Sequence, residues 1–196
     1  MRRSNPTSTS TSSYHSPVAT RFVGTSIFGG FSGKYDFCFE TNNDPLFKCF
    51  VGDISSFIGV PSLSSGPLSL TNCIGFGFDS TDTIFSIYIN GSSGTATKIP
   101  LSSFTGNLMA SDYQARVIQQ PYLVEYSVNP GGTIITFKFT HLISGRSGTY
   151  TLNNPTKLPS SSTPLRPMFN VTAGTSGLGQ MDGIAIYGYY LTRPYR

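Results

Sequence analysis

The stretch from Tyr122 to Thr140, YLVEYSVNPGGTIITFKFT, admits few folds. In its first arm Tyr122, Val124, Tyr126 and Val128 alternate with Glu125 and Ser127. In its second arm Ile135, Phe137 and Phe139 alternate with Thr136, Lys138 and Thr140. Two period-2 runs of β-branched and aromatic residues predict a β-hairpin. The connection Asn129-Pro130-Gly131-Gly132 has to turn, because proline fixes φ and lacks an N–H while the glycines accept positive φ. A lone hairpin is marginal in water, so the apolar face of this one has to pack on a second sheet.

The rest of the chain agrees. Only 11% of its 196 residues are charged, and 13% are aromatic, alongside 21 Gly and 13 Pro. That is the composition of short strands and turns, with no long Ala/Glu/Lys/Leu segment to build a helix. A chain of this length makes one domain that buries roughly 70% of its unfolded surface. We expect an all-β, two-sheet antiparallel sandwich, and the number of short runs favours a jelly roll over a seven-stranded immunoglobulin-like domain.

Taken in order, residues 1–20 are Ser/Thr-rich, carry Arg2, Arg3 and His15, and are too poor in apolar residues to fold alone. They are expected to be a flexible arm, ordered only by another chain, with residues 21–196 as the sandwich. Expected strands are Arg21–Phe28, Tyr35–Glu40, Leu46–Val51, Ser56–Val60, Leu68–Phe78, Ile84–Asn90, Thr95–Ile99, Ser147–Leu152, Met168–Val171 and Gly183–Leu191. Gly75 and Gly77 mark a close backbone approach or a bulge within theirs. Pro100–Ser111 shows no period and leaves room for a helical turn. Tyr113–Gln119 is expected to run extended into Pro121, and the four prolines of Asn153–Pro167 make that segment a loop.

The chemistry is sparse. The formal charge of +4 comes from Lys and Arg spread over the whole length, which argues against nucleic acid as a partner of the folded body. Cys38, Cys49 and Cys73 lack metal-ligand spacing and read as buried, reduced thiols. No run of about 18 apolar residues marks a membrane span, and no leader-like segment opens the chain. The sequons at Asn90 and Asn170 are therefore taken as chance matches. No E-x-D-x-x-E run pairs two carboxylates on one strand, and no G-x-S-x-G elbow presents a nucleophile. Asp79 and Asp82 read as turn-formers rather than calcium ligands. Gly174–Gly179 (GTSGLG) lacks the Lys and helix of a phosphate loop. No catalytic residue, metal ligand or cofactor is assigned.

NCIGFGFDSTDTIFSIYING, the central hairpin, the return LPSSSTPLRPMFNV and the closing MDGIAIYGYYL together resemble the concanavalin A-like lectin/glucanase domain of viral and phage virion and tail proteins. That resemblance implies a jelly roll without the acidic motifs of the hydrolytic members. It also implies a non-enzymatic virion structural protein, assembled in the host cytoplasm as a capsid decoration, minor capsid or tail-fibre component. Its partners would be other virion proteins, further copies of itself and a host-surface glycan, with Arg2 and Arg3 as an assembly arm. Two alternatives stay open: a carbohydrate-binding, lectin-like module, and a shell-forming jelly-roll capsid protein. Ligand-binding residues are left unassigned.

Overall fold

The computed structural model describes residues 2–4, 11–15, 22–24, 29–39, 46–55, 66–172 and 184–192, of which 2–4, 11–15 and 184–192 are described as backbone. Among the described residues thirteen strands run in chain order: β1 (Arg2–Ser4), β2 (Thr11–His15), β3 (Phe31–Phe39), β4 (Lys48–Ile54), β5 (Cys73–Phe78), β6 (Ser86–Asn90), β7 (Thr97–Pro100), β8 (Thr105–Gly106), β9 (Pro121–Val128), β10 (Ile134–His141), β11 (Ser147–Asn153), β12 (Arg166–Thr172) and β13 (Ile184–Thr192). They form a seven-stranded sheet, β1-β13-β3-β9-β10-β11-β8, and a six-stranded sheet, β2-β12-β4-β5-β6-β7. Pairing between these strands is antiparallel throughout. The all-β sandwich expected from sequence is what the chain builds.

The central hairpin is β9–β10, with Val128 opposite Ile135 and Tyr122 opposite His141. Its turn uses the glycines as expected, with φ of 80° at Gly131 and 67° at Gly132. The Asn129 side chain closes the turn by accepting the Ile134 N–H at 2.7 Å. Tyr122, Val124, Tyr126, Val128, Ile135, Phe137 and Phe139 all enter the core between the sheets. There they meet Phe76, Phe78 and Phe85, whose rings pack edge to face, as in the Phe78–Phe85 pair at 5.0 Å and 79°. Such geometry aligns the positive edge of one ring with the negative face of the next.

Differences from the expected strands have local causes. Leu68–Phe78 is not one strand, because Pro67 opens a 3-10 turn over Pro67–Ser69 and Asn72 takes a left-handed φ of 46°. Only Cys73–Phe78 pairs. Gly75 is the expected close approach: a Cβ there would sit 2.5 Å from the Val51 carbonyl oxygen and 2.8 Å from the Phe50 ring. Tyr113–Gln119 is not extended, since Arg116 and Gln119 both adopt positive φ. Proline restrains only the residue before it, here Gln120, and so sets no conformation at Arg116 or Gln119. Pro100–Ser111 holds two 3-10 turns, Leu101–Ser103 and Ala110–Asp112.

Two pieces of the Ser/Thr-rich segment, expected to need another chain for order, pair within this one. Arg2–Ser4 lies along β13 and Thr11–His15 along β12. Edge pairing draws on main-chain N–H and C=O groups, so a segment without an apolar face can still extend a sheet. Of the Arg21–Phe28 run, Gly24 bridges Gly29, while 21 and 25–28 lie outside the described residues, as do Ser56–Val60 and Gly174–Gly179. Cys38, Cys49 and Cys73 are buried free thiols. Burial pushes the Cys73 thiol up to about 12, so it stays protonated. Asn90 and Asn170 are fully buried, which removes both sequons as acceptors.

Candidate functional site

The two sheets differ in what lies on their outer faces. On the six-stranded sheet, Phe50, Ile54, Cys73, Tyr88 and Met168 form a second buried cluster, covered by Leu68, Leu70 and Ala96. That face is closed. On the seven-stranded sheet, alternation along β3, β9, β10 and β11 sends the apolar set inward and a polar set outward.

Register aligns the outward residues in rows that cross the strands. One row is Ser32, Ser127, Thr136 and Thr151; the next is Lys34, Glu125, Lys138 and Thr149. A third is Asp36, Leu123, Thr140 and Ser147. Eleven of the twelve positions, all but Leu123, are hydroxyl-bearing or charged. The first two rows border an open depression of about 380 Å³, lined by Ser32, Lys34, Glu125, Ser127, Thr136 and Lys138. Within it Glu125 lies 3.4 Å from the Lys34 ammonium and 3.6 Å from that of Lys138. Both lysine side chains stay more than 40% exposed, so these are loose pairs that hold the ammoniums beside the depression without sequestering them. Burial raises the Asp36 carboxyl above its ordinary value, against the pull of Lys34.

Two other polar clusters are structural clasps. The Arg116 guanidinium donates to the carbonyl oxygens of Phe47, Asp82 and Asp79, and lies 5.0 Å from the Phe78 ring centre. Burial would raise the Asp82 carboxyl, but the Asp79 amide, Lys98 and Tyr88 hydrogen bonds outweigh it and hold it low. Lys48 lies 3.9 Å from Asp79. The Asp79–Asp82 turn, weighed in the sequence as a calcium loop, thus has its carbonyl oxygens and carboxylates already engaged by the protein's own cations. Addition of millimolar calcium, or of EDTA, should leave the melting temperature unchanged. Arg116→Ala, which strips three carbonyl oxygens of a charged donor, should lower stability by about 2–3 kcal/mol. Thermal melts of both proteins check this.

The second clasp joins Asp112 to the β10–β11 turn. Arg146 grips both carboxylate oxygens at 2.7 Å, and the Met109 amide and Ser144 hydroxyl donate to the same group. The Arg146 guanidinium holds the Asp112 carboxyl well below the usual range, against the opposing effect of burial. His141 completes a Ser–His–Asp set in composition only: Ser144 and Asp112 both approach Nδ1, at 2.9 and 3.2 Å, and buried Nε2 has no partner. A general base needs its orienting acid and its nucleophile on opposite ring nitrogens. This geometry does not provide that.

The proposed arm residues Arg2 and Arg3 stand opposite Ile186 and Ala185 at the edge of the seven-stranded sheet, away from the depression in strand order. The depression was missed in the sequence because its members come from three strands, though the hairpin's polar phase (Glu125, Ser127, Thr136, Lys138) already held four of its six outward residues.

Similar folds occur among solved structures. Peanut lectin aligns over 98% of this chain and 86% of its own, with a TM-score of 0.56 and 15% identity. The CBM2 module of the evolved Dit protein of Lactobacillus casei BL23 phage J-1 aligns over 98% and 77%, at 0.51 and 11%. Alginate lyase PA1167 of Pseudomonas aeruginosa aligns over 93% and 74%, at 0.55 and 7%. The fold is the concanavalin A-like jelly roll. No family model and no curated protein matches the chain by sequence. At these identities the likeness is one of architecture, which this fold shares between lectins and lyases.

Proposed function

We propose that this chain is a glycan-binding module whose binding face is the outer surface of the seven-stranded sheet around Glu125 and Ser127. The observation that carries the reading is the lattice of hydroxyl and charged side chains bordering an open depression, where Ser127 is exposed and the Lys34 and Lys138 side chains stay more than 40% exposed. Carboxylates accept from sugar hydroxyls, ammoniums and hydroxyls donate to sugar oxygens, and strands fix their spacing more tightly than loops do. Binding without turnover fits the chemistry: Glu125 is the one carboxylate among the residues that line the depression, and glycoside hydrolysis works with a pair. The lectin neighbours and the phage carbohydrate-binding module support the same direction.

Ser127→Trp tests the face. Ser127 is exposed, so an indole there fills the depression without entering the core. The full chain should bind a subset of an immobilised glycan panel and release no sugar from it. The variant should lose that binding while melting within about 2 °C of the parent, as surface changes do. Binding unaffected by the indole would remove this face from consideration.

A second reading places the module on a virus or phage particle, as a capsid decoration or tail-fibre component. The phage Dit module favours it, being a carbohydrate-binding module with this fold in a phage protein. In that setting Arg2 and Arg3 would serve assembly. Co-purification of the chain with intact particles, and its loss from particles after Arg2 and Arg3 are both changed to Ala, tests this reading.

A further inference from the structure

We infer that the glycan this face takes is an acidic one, with a ligand carboxylate seated above Ser127 between the ammoniums of Lys34 and Lys138. The inference rests on the glycan-binding reading and names the ligand class within it.

The first reason is what the face carries. On β3, β9, β10 and β11 its three rows are hydroxyl-bearing or charged apart from Leu123, and the register continues the second row to Tyr190 of β13, opposite Lys34. At these hydroxyl and charged positions a neutral sugar gains little, because each of its hydroxyls exchanges a hydrogen bond to water for one to protein. Charge-assisted hydrogen bonds are roughly twice as strong as neutral ones, so a ligand carrying its own charge gains most here.

The second reason is the sign of the charge. Among its lining residues the depression carries two ammoniums, Lys34 and Lys138, and one carboxylate, Glu125, with Asp36 one row away along β3. Each lysine reaches a different oxygen of the same carboxylate, Lys34 to Oε1 and Lys138 to Oε2. Glu125 therefore spreads the two ammoniums to either side of the strand that also carries Ser127. One row away, Ser32, Ser127 and Thr136 set three hydroxyls side by side across the same strands. A carboxylate above Ser127 meets hydroxyl donors below it and an ammonium on each flank. Glu125 then serves as positioning residue and resident counter-ion, and a ligand carboxylate has to compete with it.

That competition supplies an asymmetric test. Binding of oligogalacturonates and of neutral malto-oligosaccharides of equal length is measured by calorimetry for the full chain, Lys138→Ala and Glu125→Gln. The parent should prefer the acidic oligosaccharide, and added salt should weaken that binding. Lys138→Ala should weaken acidic binding by about tenfold, the effect of one lost charge-assisted contact. Glu125→Gln should strengthen it severalfold, because the resident competitor is gone. A merely structural role for Glu125 would predict loss in that variant. If acidic and neutral oligosaccharides bind equally and neither variant changes the ratio, the acidic assignment falls while the glycan-binding reading stands. If neither class binds, and the wider panel is also silent, the glycan-binding reading falls with it.

Discussion

Val124→Asp is expected to leave the chain unfolded at room temperature. Val124 is fully buried in the middle of β9, facing Tyr35 on one neighbouring strand and Phe139 on the other. Losing the valine forfeits about 1.5–3 kcal/mol of burial. A carboxylate in its place has no cation among the core residues around it, and burying an unpaired charge costs several kcal/mol more, or forces protonation. Against a total stability of about 5–15 kcal/mol for a single domain, that sum consumes most of what holds the sandwich together. Position matters as much as chemistry: β9 sits between β3 and β10 in the middle of the seven-stranded sheet, so no edge can peel away to hydrate the charge. Circular dichroism and a thermal melt decide the matter, with Val124→Ala as a control that should fold and melt lower. A variant that melts within a few degrees of the parent would mean that the inward face of β9 has been assigned wrongly.

The elements legible in the sequence were those whose period is set by two well-separated environments. The β9–β10 hairpin has one face in the core and one in water, so its alternation is clean and its turn residues are diagnostic. β5 and β6 are buried on both faces, which blurs the alternation; there the glycines at 75 and 77 gave the better signal, because Phe50 and the neighbouring main chain need their space. What stayed hidden depends on side chains that meet from distant segments. Arg116 looks like an ordinary surface arginine until the structure brings it to carbonyls of Phe47, Asp79 and Asp82. The edge strands β1 and β2 carry no apolar period in the sequence, so their pairing with β13 and β12 had no pattern to announce it. Four of the depression's six outward residues lie in the polar phase of the hairpin and are legible there, but its completion by Ser32 and Lys34 needed the β3–β9 register.

Asp112→Asn should lower stability by about 3 kcal/mol at neutral pH, the low end of what breaking a buried ion pair costs. The low end applies because Arg146 is 34% exposed and can rehydrate, whereas Asp112 at 1% cannot. The loss still spreads beyond one pair, since the carboxylate also takes the Met109 amide and the Ser144 hydroxyl and ties the Ala110–Asp112 turn to the β10–β11 connection. The sign of the pH dependence follows from the direction of the shift. In the folded chain the Asp112 carboxyl titrates well below its unfolded value of about 3.9. Its contribution is therefore full above that unfolded value and fades as the pH falls below it toward the lower folded one. The difference in melting temperature between parent and Asp112→Asn should be constant from about pH 7 to 5 and shrink by pH 3. Arg146→Met provides the complement, and because the two residues share one interaction, the double variant should cost less than the sum of the singles. A gap that stays constant down to pH 2.5 would show that the clasp works through shape and neutral hydrogen bonds, with no ionic part.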